Sequence, residues 1–467
     1  MADMDVVIIG GGVGGYVAAI KGVQLGLKVT LVEKDKIGGI CLNHGCIPTK
    51  SLASSAQIWE YLKNASQYGL SAENISFDFY KIIQRKDKIV NRLTMGVQSL
   101  LKVRKVNVLE GTADLISPTE VKVNLNNDKQ EIIKTKNVII ATGSAVRKIN
   151  VAGIDNNRDI IDTNEALTLQ GLPKKMLIIG AGYSGVEFAS IFNSFGVEVY
   201  VLDLLKRILL PVDEEIANSL FNILKKQGIN FLLNSKLEKV VSKKDGLSVN
   251  IKSIDKAEKE EVSVEKLLIS TGRVPDFGGL NIQGLGIELE NEGIKVDKYM
   301  RTNIPGIYAV GDVVAKKMLA HVATAQGQVA VQHIAGIDRS MSYRVVPFCV
   351  FTNPEVASVG YNENEAREKF TDINIFRFPY RANGKALGMD EKEGYVKMIA
   401  NAKDNQVVGI HIIGAHASDL IAEATLAIQQ RCTASDIAET IHAHPTLPET
   451  IAETAEGILG QPIHVLK

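Results

Sequence analysis

The sequence predicts an α/β protein: two doubly wound, Rossmann-like units followed by an α+β segment. Three observations predict it. Residues 5–33 (DVVIIGGGVGGYVAAIKGVQLGLKVTLVE) and 175–203 (KMLIIGAGYSGVEFASIFNSFGVEVYVLD) match each other without a gap. The apolar runs VIIATGS (138–144) and LLISTGR (267–273) each end in Thr-Gly, as the return strand of such a unit would. After residue 343 the strand-like run VPFCVFTNPEVASVG precedes a stretch, Ser418 to Gln430, with apolar residues at helical spacing.

Each repeat runs apolar strand, G-x-G-x-x-G, helix-like stretch, apolar strand, acidic residue. The glycines are Gly10, Gly12 and Gly15, closed by Glu33, and then Gly180, Gly182 and Gly185, closed by Asp203. The first glycine of such a loop turns the chain out of the strand. The second lets backbone approach a pyrophosphate, and the third lets helix pack on strand. Free N–H groups at the helix start then face the phosphates. The acid, about 20 residues on, accepts from a ribose diol. Two such loops in one chain predict a flavin dinucleotide and a nicotinamide dinucleotide passing electrons between them. A further run, GIYAVGDV (306–313), places Gly311-Asp312 after a strand, where Asp312 either binds a ribityl chain or caps a helix.

Composition narrows the class. At 467 residues the chain exceeds one core, and the prior is about three domains. Lys+Arg and Asp+Glu are equal at 53, which gives no reason to expect nucleic acid or an anionic membrane as partner. Asp3 and Asp5 stand where a secretory signal would carry Lys or Arg, and no uninterrupted apolar stretch reaches the roughly 18 residues of a membrane span. The expectation is a cytoplasmic protein. Residues 55–105 read as polar helix, and 106–140 as short strands broken by Asn, Asp and Gly.

Four cysteines do not make a disulfide scaffold, but Cys41 and Cys46 lie close together in GGICLNHGCIPTK (38–50). Four intervening residues do not suit a C-x-x-C metal knuckle, and no metal is expected. Positions i and i+5 do not face each other on a regular helix, so a bridge requires a backbone break. Asn43 and Gly45 tolerate unusual dihedrals. Pro48 marks a helix start or bend, and a thiol at a helix N-terminus has its thiolate stabilised.

This segment, G-G-x-C-L-N-x-G-C-I-P-[ST]-K, resembles the active site of the flavin disulfide reductases, a family that includes the dihydrolipoamide, glutathione and mercuric branches. Both glycine motifs, ATG, TGR, VGD and a C-terminal histidine segment extend the resemblance over essentially the whole chain. Ile40 departs from it, standing where the family usually has Thr, and His44 occupies a variable position. The resemblance implies a homodimer with one FAD per subunit and a redox-active Cys41–Cys46 disulfide. In it Cys46 is the thiol beside the flavin, and Cys41 exchanges with substrate. Lys50 would lie near the flavin and pair with Glu187. Around FAD the resemblance also implies Lys34, Gly39, Ala113, Thr142, Gly143 and Ser144, then Leu319, Ala320 and His321. Around NAD it implies Tyr183, either a gate over the flavin or simple packing, together with Ser184 and Gly272.

The run HAHPTLPE (442–449) looks like that of the dihydrolipoamide dehydrogenase branch. There His444, oriented by Glu449, would be the base that makes the attacking thiolate, reaching across the dimer to the partner's disulfide. His442 reads as packing or support. Mercuric reductases typically end in a cysteine pair, whereas this chain ends QPIHVLK. Asp203 repels a 2′-phosphate and favours NAD over NADP, although Lys206 and Arg207 follow it. The implied reaction is dihydrolipoamide plus NAD+ giving lipoamide plus NADH. Its substrate would be a lipoyl-bearing acyltransferase or a glycine-cleavage carrier protein. A reductase of another small disulfide is the nearer alternative, and a flavin- and NADH-sensing binding protein the more distant one. Expected domains are 1–145 for FAD and its disulfide, 146–272 for NAD, 273–342 completing the FAD domain, and 343–467 for dimerisation.

Overall fold

The computed structural model describes residues 3–155, 157–256 and 258–466. The chain divides into two compact units.

The first unit comprises 1–51, 80–148 and 272–342. Its centre is a parallel sheet in the order Asn107–Ser117, Val29–Glu33, Met4–Ile9, Gln130–Ile140, Ile307–Ala309. Val6, Val7 and Ile8 are fully buried, as a strand covered on both faces requires. The segment read as short broken strands forms long ones instead. Asn107–Ser117 and Gln130–Ile140 each run out of the parallel sheet and there sandwich Glu120–Leu125 in antiparallel pairing. Asn107 to Glu110 pairs in one sheet and Gly111 to Ser117 in the other. Asn126 and Asp128 sit in the tight turn before Gln130, so polar residues mark the hairpin ends rather than breaks in the sheet.

The first helix, Val13–Gln24, crosses Ala320–Ile334 closely. A Cβ on Gly327 would stand 2.4 Å from the Gly14 carbonyl oxygen. That approach packs the start of the first helix against the middle of the second.

The second unit comprises 52–79, 149–271 and 343–467. It repeats the parallel order with Asn230–Leu232, Glu198–Leu202, Lys175–Ile179, Lys266–Ile269 and Ile160–Asp162. Its C-terminal part is an antiparallel sheet, Phe348–Val350, Glu355–Gly360, Val407–Gly414, Tyr395–Asn401, Ile373–Pro379, against which Ala417–Gln430 and Glu449–Ile458 pack. The single strand-like run after residue 343 is therefore two strands. Thr352–Pro354 turns the chain, and Cys349 pairs with Ala357. Among the described residues no helix is long and apolar enough to cross a membrane.

Candidate active site

The two glycine loops have the same stereochemistry. Gly10 and Gly180 adopt φ of +106° and +109°, and a Cβ on either would lie 2.3 Å from the carbonyl oxygen of Ala141 or Ser270 on the return strand. Gly15 and Gly185 each clear the carbonyl of the first glycine, which a Cβ would approach to 1.8 Å. The third glycine thus protects the turn itself. The second is different: at Gly182 a Cβ would meet nothing within 4 Å, and at Gly12 only the Gly39 Cα at 4.0 Å. These positions open onto free space at a helix N-terminus, a cradle that fits a pyrophosphate. Gly182→Ala should therefore leave the fold intact while raising KM for NADH tenfold or more. Gly185→Ala should instead lower expression of folded protein. NADH titration beside a thermal melt separates the two.

The closing acids also match. Glu33 accepts from the Gly11 amide (2.5 Å) and the Asp35 amide (2.8 Å). Asp203 accepts from the Ala181 amide (2.6 Å) and the Leu205 amide (2.8 Å). Each carboxylate braces its glycine loop, a role the sequence reading missed. Each carboxylate oxygen keeps acceptor capacity for a ribose hydroxyl.

Both Thr-Gly motifs end in a left-handed glycine, Gly143 at +80° and Gly272 at +98°, again with open space where a Cβ would be. The buried hydroxyls Thr142 Oγ1 and Ser270 Oγ have no partner among the described residues, which suits donors awaiting a ligand. Asp312 makes no helix cap. Its carboxylate accepts from the Ser144 hydroxyl at 2.5 Å, and Arg273 donates to the Ser144 hydroxyl (2.8 Å) and carbonyl (2.7 Å). Since Arg273 can only donate, the Ser144 proton must point at Asp312. Arg273, the third letter of TGR, is thus a site-building residue that sequence reading passed over.

Leu319 caps Ala320–Ile334, with Ala320 and His321 in its first turn. Gly39 adopts φ +56° and folds back onto Gly12. Ala113 is buried in the strand Asn107–Ser117 with its methyl in the core, which leaves only its backbone for a ligand. Lys34 is exposed and pairs with Asp276 at 3.4 Å. In the second loop Tyr183 opens the helix Tyr183–Ser194, followed by Ser184. Its ring meets Phe348 edge-on at 5.9 Å.

Cys41 lies in the helix Gly39–Asn43 and Cys46 begins the helix Cys46–Lys63. The break falls at His44, with φ −137° and ψ 13°, and brings the thiols together. Neither Asn43 nor Gly45 takes a left-handed conformation, which corrects the expectation from sequence. Asn43 serves by hydrogen bonding instead. Its amide donates to the carbonyls of Ile37 (3.1 Å) and Gly39 (2.9 Å). Gly45 gives clearance: a Cβ there would press to 3.1 Å on the Ile40 carbonyl. Both cysteines are thiols here. A hydrogen bond to Cys46, then burial, holds the Cys41 thiol far above its ordinary value, with Lys50 partly opposing. His44 stands 3.7 Å from Asp35. Lys50 lies one turn beyond Cys46 on its helix.

In the second unit, His444 Nδ1 meets Glu449 Oε1 at 2.8 Å, and Glu449 also accepts from the Thr446 amide at 2.6 Å. Burial alone would raise the Glu449 carboxyl; the Thr446 amide and His444 more than offset it and hold it below its usual range. The His444 side chain is 80% exposed. His442 is not in that pair: it bridges Glu423 (2.8 Å) and the Thr440 carbonyl (2.7 Å). Glu187 is buried and accepts from the Phe351 amide at 2.9 Å.

Paired dinucleotide loops, adjacent thiols at a helix head and a His–Glu dyad define a class of nucleotide-dependent dithiol–disulfide oxidoreductases. Residues 4–327 match the pyridine nucleotide-disulphide oxidoreductase family, and 346–455 match that family's dimerisation domain. The chain belongs to this family. It is 41% identical to a dihydrolipoyl dehydrogenase of Bacillus subtilis, over 100% of this chain and 98% of that one. It is 39% identical to a mitochondrial dihydrolipoyl dehydrogenase of Pisum sativum, over 99% of this chain and 93% of that one. A leghemoglobin reductase of Glycine max is 38% identical, over 100% and 89%. Among solved structures it resembles the copper(II) complex of the HOCl-induced flavoprotein disulfide reductase RclA of Escherichia coli. There the TM-score is 0.87 at 28% identity, covering 98% of this chain and 99% of that one.

Proposed function

We propose that this protein is a dihydrolipoyl dehydrogenase, oxidising dihydrolipoamide to lipoamide and reducing NAD+ to NADH. What carries the reading is that one chain holds both adjacent thiols, Cys41 and Cys46, and a His444–Glu449 dyad, and aligns end to end with such enzymes.

In the resting enzyme Cys41 and Cys46 form the disulfide. His444 takes the proton from one substrate thiol. The thiolate attacks Cys41, and Cys46 leaves as a thiolate, favoured at the first position of its helix. The second substrate thiol then attacks the mixed disulfide; the bond to the Cys41 sulfur breaks as the lipoamide disulfide forms, and the proton of that thiol passes to the departing Cys41 sulfur. The raised Cys41 value keeps that proton on sulfur. FAD, when bound at the first glycine loop, supplies the chemistry that carries the electron pair from the dithiol side to NAD+ at the second. Asp312 would orient a ribityl hydroxyl of that group and Lys50 would hold positive charge beside it. Tyr183 covers the nicotinamide approach. The dimer places His444 of each subunit at its partner's disulfide.

Asp203 selects a free ribose diol, and both neighbouring cations already have partners. Lys206 pairs with Asp255, and Arg207 is tied to backbone carbonyls. We place the protein in the cytoplasm, where a reducing pool suits its thiols, with a lipoyl-bearing acyltransferase or glycine-cleavage carrier as substrate.

NADH oxidation by the purified protein, offered lipoamide, glutathione disulfide or no disulfide, tests the reading. Turnover with lipoamide alone is expected; a rate equal to the disulfide-free control overturns it. Cys41→Ser should abolish lipoamide turnover while NADH still bleaches the flavin absorbance, read by stopped-flow.

A further inference from the structure

We infer that Asp255, far from the glycine loop in sequence, is a specificity-determining residue that disfavours 2′-phosphorylated nucleotides by occupying Lys206. The inference rests on the NAD(H) reading above.

The segment after Asp203 would otherwise suit NADP. A 2′-phosphate carries roughly −1.5 to −2 charges and is met in other sites by cations following the second strand. Here two cations, Lys206 and Arg207, stand within four residues of Asp203. Both are occupied, in different ways. The Arg207 guanidinium donates to the carbonyls of Val212 (2.9 Å) and Leu210 (2.8 Å). Those acceptors are backbone, and no side-chain substitution removes them. Lys206 Nζ has a side-chain partner, Asp255 Oδ2, at 2.8 Å.

That contact is built by the fold. The Asn234 amide donates to the Leu205 carbonyl at 2.9 Å, and the Ile254 amide donates to the Asn234 carbonyl at 2.9 Å. The Ser235 amide donates to the Asp203 carbonyl at 2.9 Å. Residue 234 thus links the nucleotide-selecting strand end to the corner after Gly246–Ser253, and Asp255 follows directly. Asp203 repels a 2′-phosphate at short range. Asp255 adds a second negative charge and takes up the ammonium that would compensate it. Both Lys206 and Asp255 are more than half exposed, so the pair is weak and the effect modest.

The test compares Asp255→Asn with unaltered protein. Expected is a rise of about 3–10-fold in kcat/KM for NADPH, with the NADH value within about twofold. Calorimetry with adenosine 2′,5′-bisphosphate against 5′-AMP reads the same gain without turnover. Adding Lys206→Ala should cancel the gain, and salt near 1 M should shrink it. Unchanged NADPH kinetics and bisphosphate affinity in Asp255→Asn, or a gain that survives Lys206→Ala, overturns the inference. NADH turnover by the unaltered protein checks the underlying reading separately.

Discussion

Replacing His444 with Ala should lower lipoamide turnover by about 10²–10⁴-fold while leaving flavin content and NADH-driven flavin reduction intact. The dyad geometry sets this expectation. A carboxylate only accepts, so at 2.8 Å from Glu449 Oε1 the His444 Nδ1 carries the proton and Nε2 is left as the acceptor. The base is therefore aimed outward, consistent with a side chain that is 80% exposed in one chain. Glu449 is itself fixed by the Thr446 amide and stands at the first position of Glu449–Ile458, where the helix dipole favours negative charge. Glu449→Gln keeps the steric fit but can present its NH2 to Nδ1 and invert the tautomer; a smaller loss, with the same spared NADH half-reaction, should follow. Rapid-mixing measurement of each half-reaction decides the matter. An undiminished dithiol half-reaction in His444→Ala would refute the assignment.

What sequence made legible was local. The glycine loops could be read because steric exclusion operates over a few residues and leaves glycine as the only solution. Gly10 and Gly180 take nearly the same φ for that reason. The helix Ala417–Gln430 was legible from its apolar spacing. Reasons were less legible than positions. Asn43 and Gly45 matter, yet for hydrogen bonds and clearance rather than left-handed backbone. Arg273 escaped notice because its partner Ser144 lies far away in sequence, and the two meet only when Arg273–Pro275 pairs with Ser144–Val146. Lys397 escaped for a related reason. In the strand YVKMIAN a lysine reads as the solvent face, but helices and loops cover that face and only 1% of the residue is exposed.

Lys397 carries the largest expected stability effect. Its ammonium contacts Asp213 (3.0 and 3.1 Å), Glu215 (3.0 Å) and Glu363 (2.8 Å), and Arg377 forks onto Glu215. Asp213 also caps the helix Glu214–Lys226, following the loop that Arg207 clamps beneath the second glycine turn. One buried cation therefore ties the nucleotide-binding part of the second unit to its C-terminal sheet. Lys397→Met should cost about 3–5 kcal/mol, because it strands the Asp213 carboxylate without a countercharge. Adding Asp213→Asn removes the stranded charge while retaining a capping oxygen, so the double variant should recover part of the loss. Additive losses would show that the ion pair is not the origin.

Acid should imitate the substitution. Burial opposes ionisation of Asp213, Glu215 and Glu363, yet their cationic partners hold all three below their ordinary values. Groups lowered in the folded state stabilise above their unfolded values, about 4, and lose that stabilisation as pH falls through the folded ones. His411 acts earlier. Burial lowers its value, so below about pH 6.5 the unfolded chain takes up a proton that the folded chain refuses, and stability declines. Burial would likewise lower Lys397, but its carboxylate partners hold it above its usual value, so its contribution is present at neutral pH and fades only in strong alkali. Urea midpoints between pH 2 and 8 should fall toward acid in two stages, the first below about pH 6.5 and the second below about pH 4. In Lys397→Met the second stage should shrink, because the carboxylates have lost the one cation that lowers all three of them.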